Sequence, residues 1–354
     1  MPAYIGVNGK AKTIAKVYKG NSSGKAELIF GPRGMVKSSK KISELSDFYN
    51  GRSAGTIGNY ALFAGGVDSS FNYTSTVDVY DSTLTKATPS SLSIARCQSS
   101  EAVVGKYVLF AGGDNPKEVA NVDAFTASLT RTSVTNLRAA RYWMGSASIG
   151  NYALFAGGRC NSNSIVDAYT SALSRTTASN LSSGRDSIVS TTVGNYALFA
   201  GGGKNDLNDT VLPTVDAYDK SLTRTNAPAL NSSCICSAAT TIGNYALIGG
   251  VGSDNKIIEV YTSSLTKTTT LSLSVGRAPY ETSAASINSN ALFAGGADNY
   301  SSIDVYDLSL TRTSDLQLSK NMSGVVSTAI GKYVLFGSDV WRLSKEIDAY
   351  YLWE

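Results

Sequence analysis

Along most of the chain a nearly continuous apolar run of five residues, such as Tyr152 to Ala156, is preceded by a Gly-Asn or Gly-Lys pair and followed by two glycines. The full unit, Gly-Asn-Tyr-Ala-Leu-Phe-Ala-Gly-Gly, is best preserved from Gly58, Gly150 and Gly194, with variants from Gly105, Gly243, Asn288 and Gly331. These seven copies follow one another at steps of 47, 45, 44, 49, 45 and 43 residues. Short strands bounded by turn residues at a period of about 40–50 predict the blades of a β-propeller.

Residues 137–176 serve as the reference blade. Residues 145–149, Gly-Ser-Ala-Ser-Ile, read as the inner strand, where small side chains suit seven strands crowded around one channel. Gly150-Asn151 makes a two-residue turn that needs positive φ. The run from Tyr152 to Ala156 is the second strand, apolar throughout because neighbouring blades cover both its faces. Gly157-Gly158 ends it where backbones approach closely. Residues 165–169 alternate as a third strand, and residues 174–177 form the outer fourth.

The double glycine after an apolar strand, followed by an element such as Val77-Asp-Val-Tyr-Asp81, resembles the Kelch repeat family over roughly residues 45–354. The outer-strand Trp usual in that family is replaced by Thr, as in Ser128-Leu-Thr-Arg-Thr132. The resemblance implies an all-β, seven-bladed, Kelch-like β-propeller of four-stranded blades. The last blade runs out at Glu354 after its third strand, so residues 35–41 are expected to supply the missing outer strand and close the ring from the N-terminal end. The chain thus divides into a basic β-hairpin arm, 1–34, and the propeller, 35–354.

Composition narrows the chemistry. There is no histidine, which removes the commonest general base and metal ligand together. No run approaches the roughly 18 apolar residues of a membrane span, and the N-terminus lacks the continuous apolar core of a secretory signal. Cys97, Cys160, Cys234 and Cys236 are too irregularly spaced for a disulfide framework or a zinc site and are expected as thiols. Asp206, Asn208 and Asp209 lack the pattern of a calcium loop. No cofactor and no metal are expected.

Each third strand carries an acid, from Asp78 in the first blade to Asp348 in the last, and six outer strands carry a base eight residues on. Features present in every blade read as scaffold, paired across a hairpin. The loops joining strands one to two and three to four are short and uniform. Those following the double glycine vary, and they share the opposite face with the segments leading into each inner strand. Function on a repeat scaffold lives in irregular loops, so that face is the candidate site.

Four residues after the leucine opening each blade stand Tyr49, Arg96, Arg141, Arg185, Cys234, Arg277 and Met322. The four arginines have two readings: cationic forks at the channel mouth suited to carboxylate, phosphate or sulfate, or partners of loop acids. Tyr142, Trp143 and Tyr280 lie close by in sequence, with Tyr73, Tyr300 and Trp341 on the long loops. Such aromatics offer flat surfaces for sugar rings. Sialidases hold a carboxylate with three arginines and attack with a tyrosine, but their Asp-box is missing and no acid is uniquely placed beside a tyrosine. A copper oxidase resembling galactose oxidase would need histidine ligands. No enzymatic activity is expected.

Residues 1–41 hold nine basic residues against Glu27 alone, a net +8, leaving −4 on the remainder. Two related stretches begin at Tyr4 and Tyr18, with Lys10, Lys12, Lys16 and Lys19 among them. They look like the short Tyr-x-Gly-Val-x-Gly-x-Ala repeats at the N-termini of tail and minor structural proteins in prophages of Gram-positive bacteria. The resemblance implies a virion or tail component made in the bacterial cytoplasm without a signal peptide and anchored to other particle proteins through the arm. The expected partner is a host cell-surface glycan or protein, with neither nucleic acid nor membrane. An intracellular bacterial Kelch scaffold binding other proteins is the alternative, and a sialidase-like glycan-processing enzyme a more distant one.

Overall fold

The computed structural model describes the chain except residues 1–3, 8–9, 14–16, 21–25, 31–33, 41, 48–49, 69, 161–163, 205–209, 236–237, 279–281, 297–300, 323, 338–343 and 354. For the strands within residues 4–34, and for residues 314, 315 and 353, the backbone alone is described. Apart from two N-terminal hairpins, the strands form seven four-stranded antiparallel sheets, six running outward in chain order and the seventh completed by an N-terminal strand, which is a seven-bladed propeller. Blade 3 contains Gly145–Ile149, Tyr152–Ala156, Val166–Thr170 and Arg175–Thr177.

Burial changes from strand to strand in the order the packing demands. The second strand of blade 3 is buried from Ala153 to Ala156, whereas its outer strand is mostly exposed. The third strand differs from its alternating sequence pattern: Val166, Asp167, Ala168 and Tyr169 are all buried. Its acid is an interior group.

Among the described residues there is no single core. Buried apolar residues fall into seven clusters, one at each junction between adjacent blades. Around the channel the inner strands of neighbouring blades, which share no sheet, are stitched by hydroxyls. Ser146 Oγ donates to Glu101 O (2.6 Å), Ser190 Oγ to Ser146 O (2.6 Å), Thr192 Oγ1 to Ser148 O (2.8 Å) and Thr56 Oγ1 to Ala329 O (2.6 Å). Serine and threonine therefore do more here than save space, because they satisfy backbone groups that no ladder reaches.

The ring closes as expected. Val326–Ile330, Tyr333–Gly337 and Ile347–Trp353 form blade 7, and Gly34–Lys37 adds the outer strand, with Tyr351 opposite Val36 and Leu352 opposite Met35. Both junctions of blade 7 then have their apolar clusters, so the first and last blades pack against each other like the rest. Ahead of it lie two hairpins, Tyr4–Val7 with Lys10–Thr13 and Val17–Gly20 with Ala26–Phe30.

Candidate functional site

The arginines come first, because they were the most regular candidates. Arg96, Arg141, Arg185 and Arg277 are each 0% exposed. Each points into its own blade and pairs with the third-strand acid: Arg96–Asp123 at 2.9 Å, Arg141–Asp167 and Arg185–Asp216 at 2.8 Å, Arg277–Asp304 at 2.7 Å. Arg96, Arg141 and Arg185 also donate to the carbonyls of Phe110, Phe155 and Phe199 on the second strands. Burial pulls the Arg96 and Arg141 guanidinium values below their ordinary level, with Asp123 and Asp167 acting against it. The structure thus corrects the expectation of cationic forks at the channel mouth: these groups are enclosed and engaged.

The double glycine belongs to the same device. The second glycine donates its N–H to the carbonyl of the arginine leading into the next blade: Gly66 to Arg96 (2.8 Å), Gly113 to Arg141 (3.0 Å), Gly158 to Arg185 (3.0 Å). A Cβ on Gly65 would run into that Arg96 oxygen, and φ there is 67°, so only glycine allows the approach. Backbone locked to the preceding blade and side chain buried in its own, each arginine joins two blades.

The third-strand acids are hubs. Asp123 accepts from Arg96, from Arg131 of the outer strand (3.0 Å) and from the Ser93 amide (3.0 Å). In blade 1 the buried partner is Arg52, which reaches Asp78 at 2.7 Å, with Lys86 on the other oxygen. Burial pushes the Asp78 carboxyl up, but Arg52, Lys86 and Ser46 outweigh it and hold the group below the usual carboxylate value. Arg52 escaped the sequence reading because it stands seven residues after Leu45 rather than four.

With the arginines inside, the loop face presents a different set of groups. Tyr73, on the long loop of blade 1, donates its hydroxyl to Asp114 Oδ2 on the loop of blade 2 at 2.7 Å. Tyr142 and Trp143, leading into blade 3, meet edge to face with centroids 4.9 Å apart. The Arg159 guanidinium, from the loop of blade 3, lies 5.6 Å from the Trp143 ring centre. Backbone bridges hold this platform, pairing Asn50 with Val67, Cys97 with Asp114, Tyr142 with Arg159 and Asp186 with Gly203.

Phe71 stands beside it at 83% exposure. Its turn is fixed from below, since Asp68 Oδ1 accepts from the amides of Ser70 and Asn72 at 2.8 Å each. The ring is thus held out by a hydrogen-bonded turn and packs little against the fold.

Three groups of this face are shifted toward their protonated forms. The hydrogen bond to Asp114, with burial, pushes the Tyr73 hydroxyl up to about 12. Burial, then Asp114, pushes the Cys97 thiol up to about 12, and burial raises Tyr142. The acid beside Tyr73 was not expected from the sequence, because Asp114 comes from the neighbouring blade's loop. Cys234, expected as a thiol, is disulfide-bonded. No group of three acid or cysteine side chains fit to hold a metal occurs among the described residues.

Of the remaining candidates, Tyr49, Tyr280, Tyr300 and Trp341 lie outside the described residues, as does Lys16. Lys10, Lys12 and Lys19 fall on strands of the arm hairpins. Comparison with protein-family models and with curated proteins finds no match to this chain.

Proposed function

We propose that the chain is a non-enzymatic binding protein of Kelch-like type that recognises a host-surface ligand, a glycan in the first instance, through the loop face of blades 1 to 3. The observation that carries this reading is the aromatic platform of Tyr73, Tyr142 and Trp143, with Asp114 and Arg159 around it and Phe71 raised at its edge. Flat rings flanked by fixed polar groups match the apolar faces and hydroxyl rims of sugars. The basic arm would fix the protein to a phage tail or related particle, placing it in the virion.

A hydrolytic role has less support. A sialidase-like mechanism loses its carboxylate-binding arginines to interior ion pairs, and Tyr73 is held in its weakly nucleophilic form. One feature favours a protein partner instead of a glycan: Phe71 is a large, purely apolar group in full view of solvent.

The test uses the full chain, labelled, on envelopes of Gram-positive hosts with glycans intact or oxidised by periodate, alongside Trp143→Ala and Phe71→Ala. Saturable binding that disappears on oxidation and weakens at least tenfold in Trp143→Ala supports the glycan reading. Binding that survives oxidation but fails in Phe71→Ala transfers the site to a protein partner. A chain lacking residues 1–33 should keep ligand binding and lose particle incorporation; unchanged incorporation removes the anchoring role.

A further inference from the structure

At the level of the channel opposite the second-strand aromatic or isoleucine, the inner strands carry Ala54, Ser146, Ser190, Ala239, Ala284 and Ser327 in six blades, and Glu101 in blade 2. One residue on, six blades hold alanine or threonine and blade 1 holds Gly55. These two departures from the repeat are complementary. A Cβ on Gly55 would lie 2.5 Å from Glu101 Cδ, so the missing side chain in blade 1 is the space that the Glu101 carboxyl end occupies.

In blades 3 and 4 the residue at the Glu101 position is a serine whose hydroxyl donates to the preceding blade's inner strand. Glu101 replaces that staple with a carboxyl group that makes no hydrogen bond or ion pair to the described residues. The Glu101 side chain is half-buried and keeps contact with the channel. The cavity beside it has a volume of about 330 Å³, and the rest of its lining is serine, threonine, alanine and valine. Glu101 is the one titratable side chain in that lining. Burial alone, with no neighbouring charge contributing, pushes its carboxyl up to about 8. A half-buried carboxyl so placed has no partner among the described residues to offset its desolvation.

We propose that the central channel beside Glu101 is a binding site for a compact primary amine, whose ammonium group pairs with Glu101. An ammonium ion brings three N–H donors, and the channel offers a carboxylate with serine and threonine oxygens around it. A divalent metal fits poorly, because Ca²⁺ takes about 6–8 oxygens, commonly from several carboxylates, and Mg²⁺ demands near-octahedral geometry. The cavity volume lies at the lower end of small-molecule sites, about 300–1,000 Å³, which limits the ligand to a few carbons.

The experiment is calorimetric titration of the full chain with butylamine at pH 7, in two buffers of different ionisation enthalpy that contain no primary amine. The expected result is saturable one-to-one binding with release of close to one proton, since Glu101 must ionise to pair. Glu101→Gln should weaken binding at least tenfold and abolish the proton release. Gly55→Ala, which displaces the carboxyl without removing it, should weaken binding less. Absent binding, equal affinity in Glu101→Gln, or binding without proton release overturns the proposal. Displacement by potassium chloride at the butylamine concentration also overturns it. Should Glu101→Gln fail to fold, proton release by the wild type and the Gly55→Ala affinity still decide.

Discussion

In blade 3 the third-strand acid, Asp167, faces two arginines, Arg141 at 2.8 Å and Arg138 at 2.7 Å. In blade 5 the equivalent acid is Glu259, which meets Lys267 at 2.7 Å and the Asn231 amide at 2.6 Å, with Cys234 where the buried arginine would stand. The backbone joint is the same in both. Gly202 donates to Cys234 O at 2.9 Å just as Gly113 donates to Arg141 O at 3.0 Å. Blade 7 repeats the lesson with Met322 buried at that position and Lys37 of the closing strand on Asp348. The glycine–carbonyl joint at the entries to blades 2 to 5 therefore does not depend on arginine, and the buried arginine is one of several ways to fill the space behind it. Where an arginine is absent the acid still ties its outer strand to the lead-in segment.

That comparison makes a sharp prediction about dependence. Arg141→Ala leaves Asp167 buried beside an empty space and is expected to cost about 3–5 kcal/mol in urea unfolding. If blade 3 tolerates the loss as blade 5 tolerates Cys234, the arginines are fillers rather than obligatory partners. Arg141→Met with Asp167→Asn removes both charges and should cost less than half as much as the single change.

The channel gives the next largest effect, and its sign is opposite to that of the hubs. Glu101 has a folded value of about 8 against an ordinary 4.5, so the folded chain holds its proton longer than the unfolded one. Wild-type stability should fall, relative to Glu101→Gln, as pH rises from 4.5 to about 8, a window readable by thermal melting. Asp78 runs the other way. Its folded value is depressed, so its contribution is present above the unfolded carboxylate value of about 3.9 and is lost as pH falls through the folded one. The stability gap between wild type and Asp78→Asn should therefore narrow under acid. Smallest of all is Phe71→Ala, within about 0.5 kcal/mol on unfolding because the ring touches little, while binding suffers if the loop face is the site.

Much of the scaffold was legible because it is written in local periodicity. Apolar runs and glycine pairs recur once per blade, so blade number, strand order and the N-terminal closing strand followed without knowledge of any contact. The platform was legible only in part. Tyr73, Tyr142 and Trp143 stood out as aromatics on irregular segments, but Asp114 and Arg159 looked like ordinary loop charges until neighbouring loops met. Glu101 and Gly55 break the repeat but were not singled out from the sequence. Their significance was not legible, because nothing along the chain says that one fills the space the other leaves.

The arginines mark the boundary most clearly. Their spacing was plain in the sequence, and it established that each holds a common place in its blade. Whether that place looks toward solvent or into the interior depends on which acid lies within reach. Arg141 and Asp167 are 26 residues apart along the chain and 2.8 Å apart in space. A guanidinium can satisfy an external anion or an internal carboxylate equally well by its chemistry. The folding back of the third strand puts the internal carboxylate first.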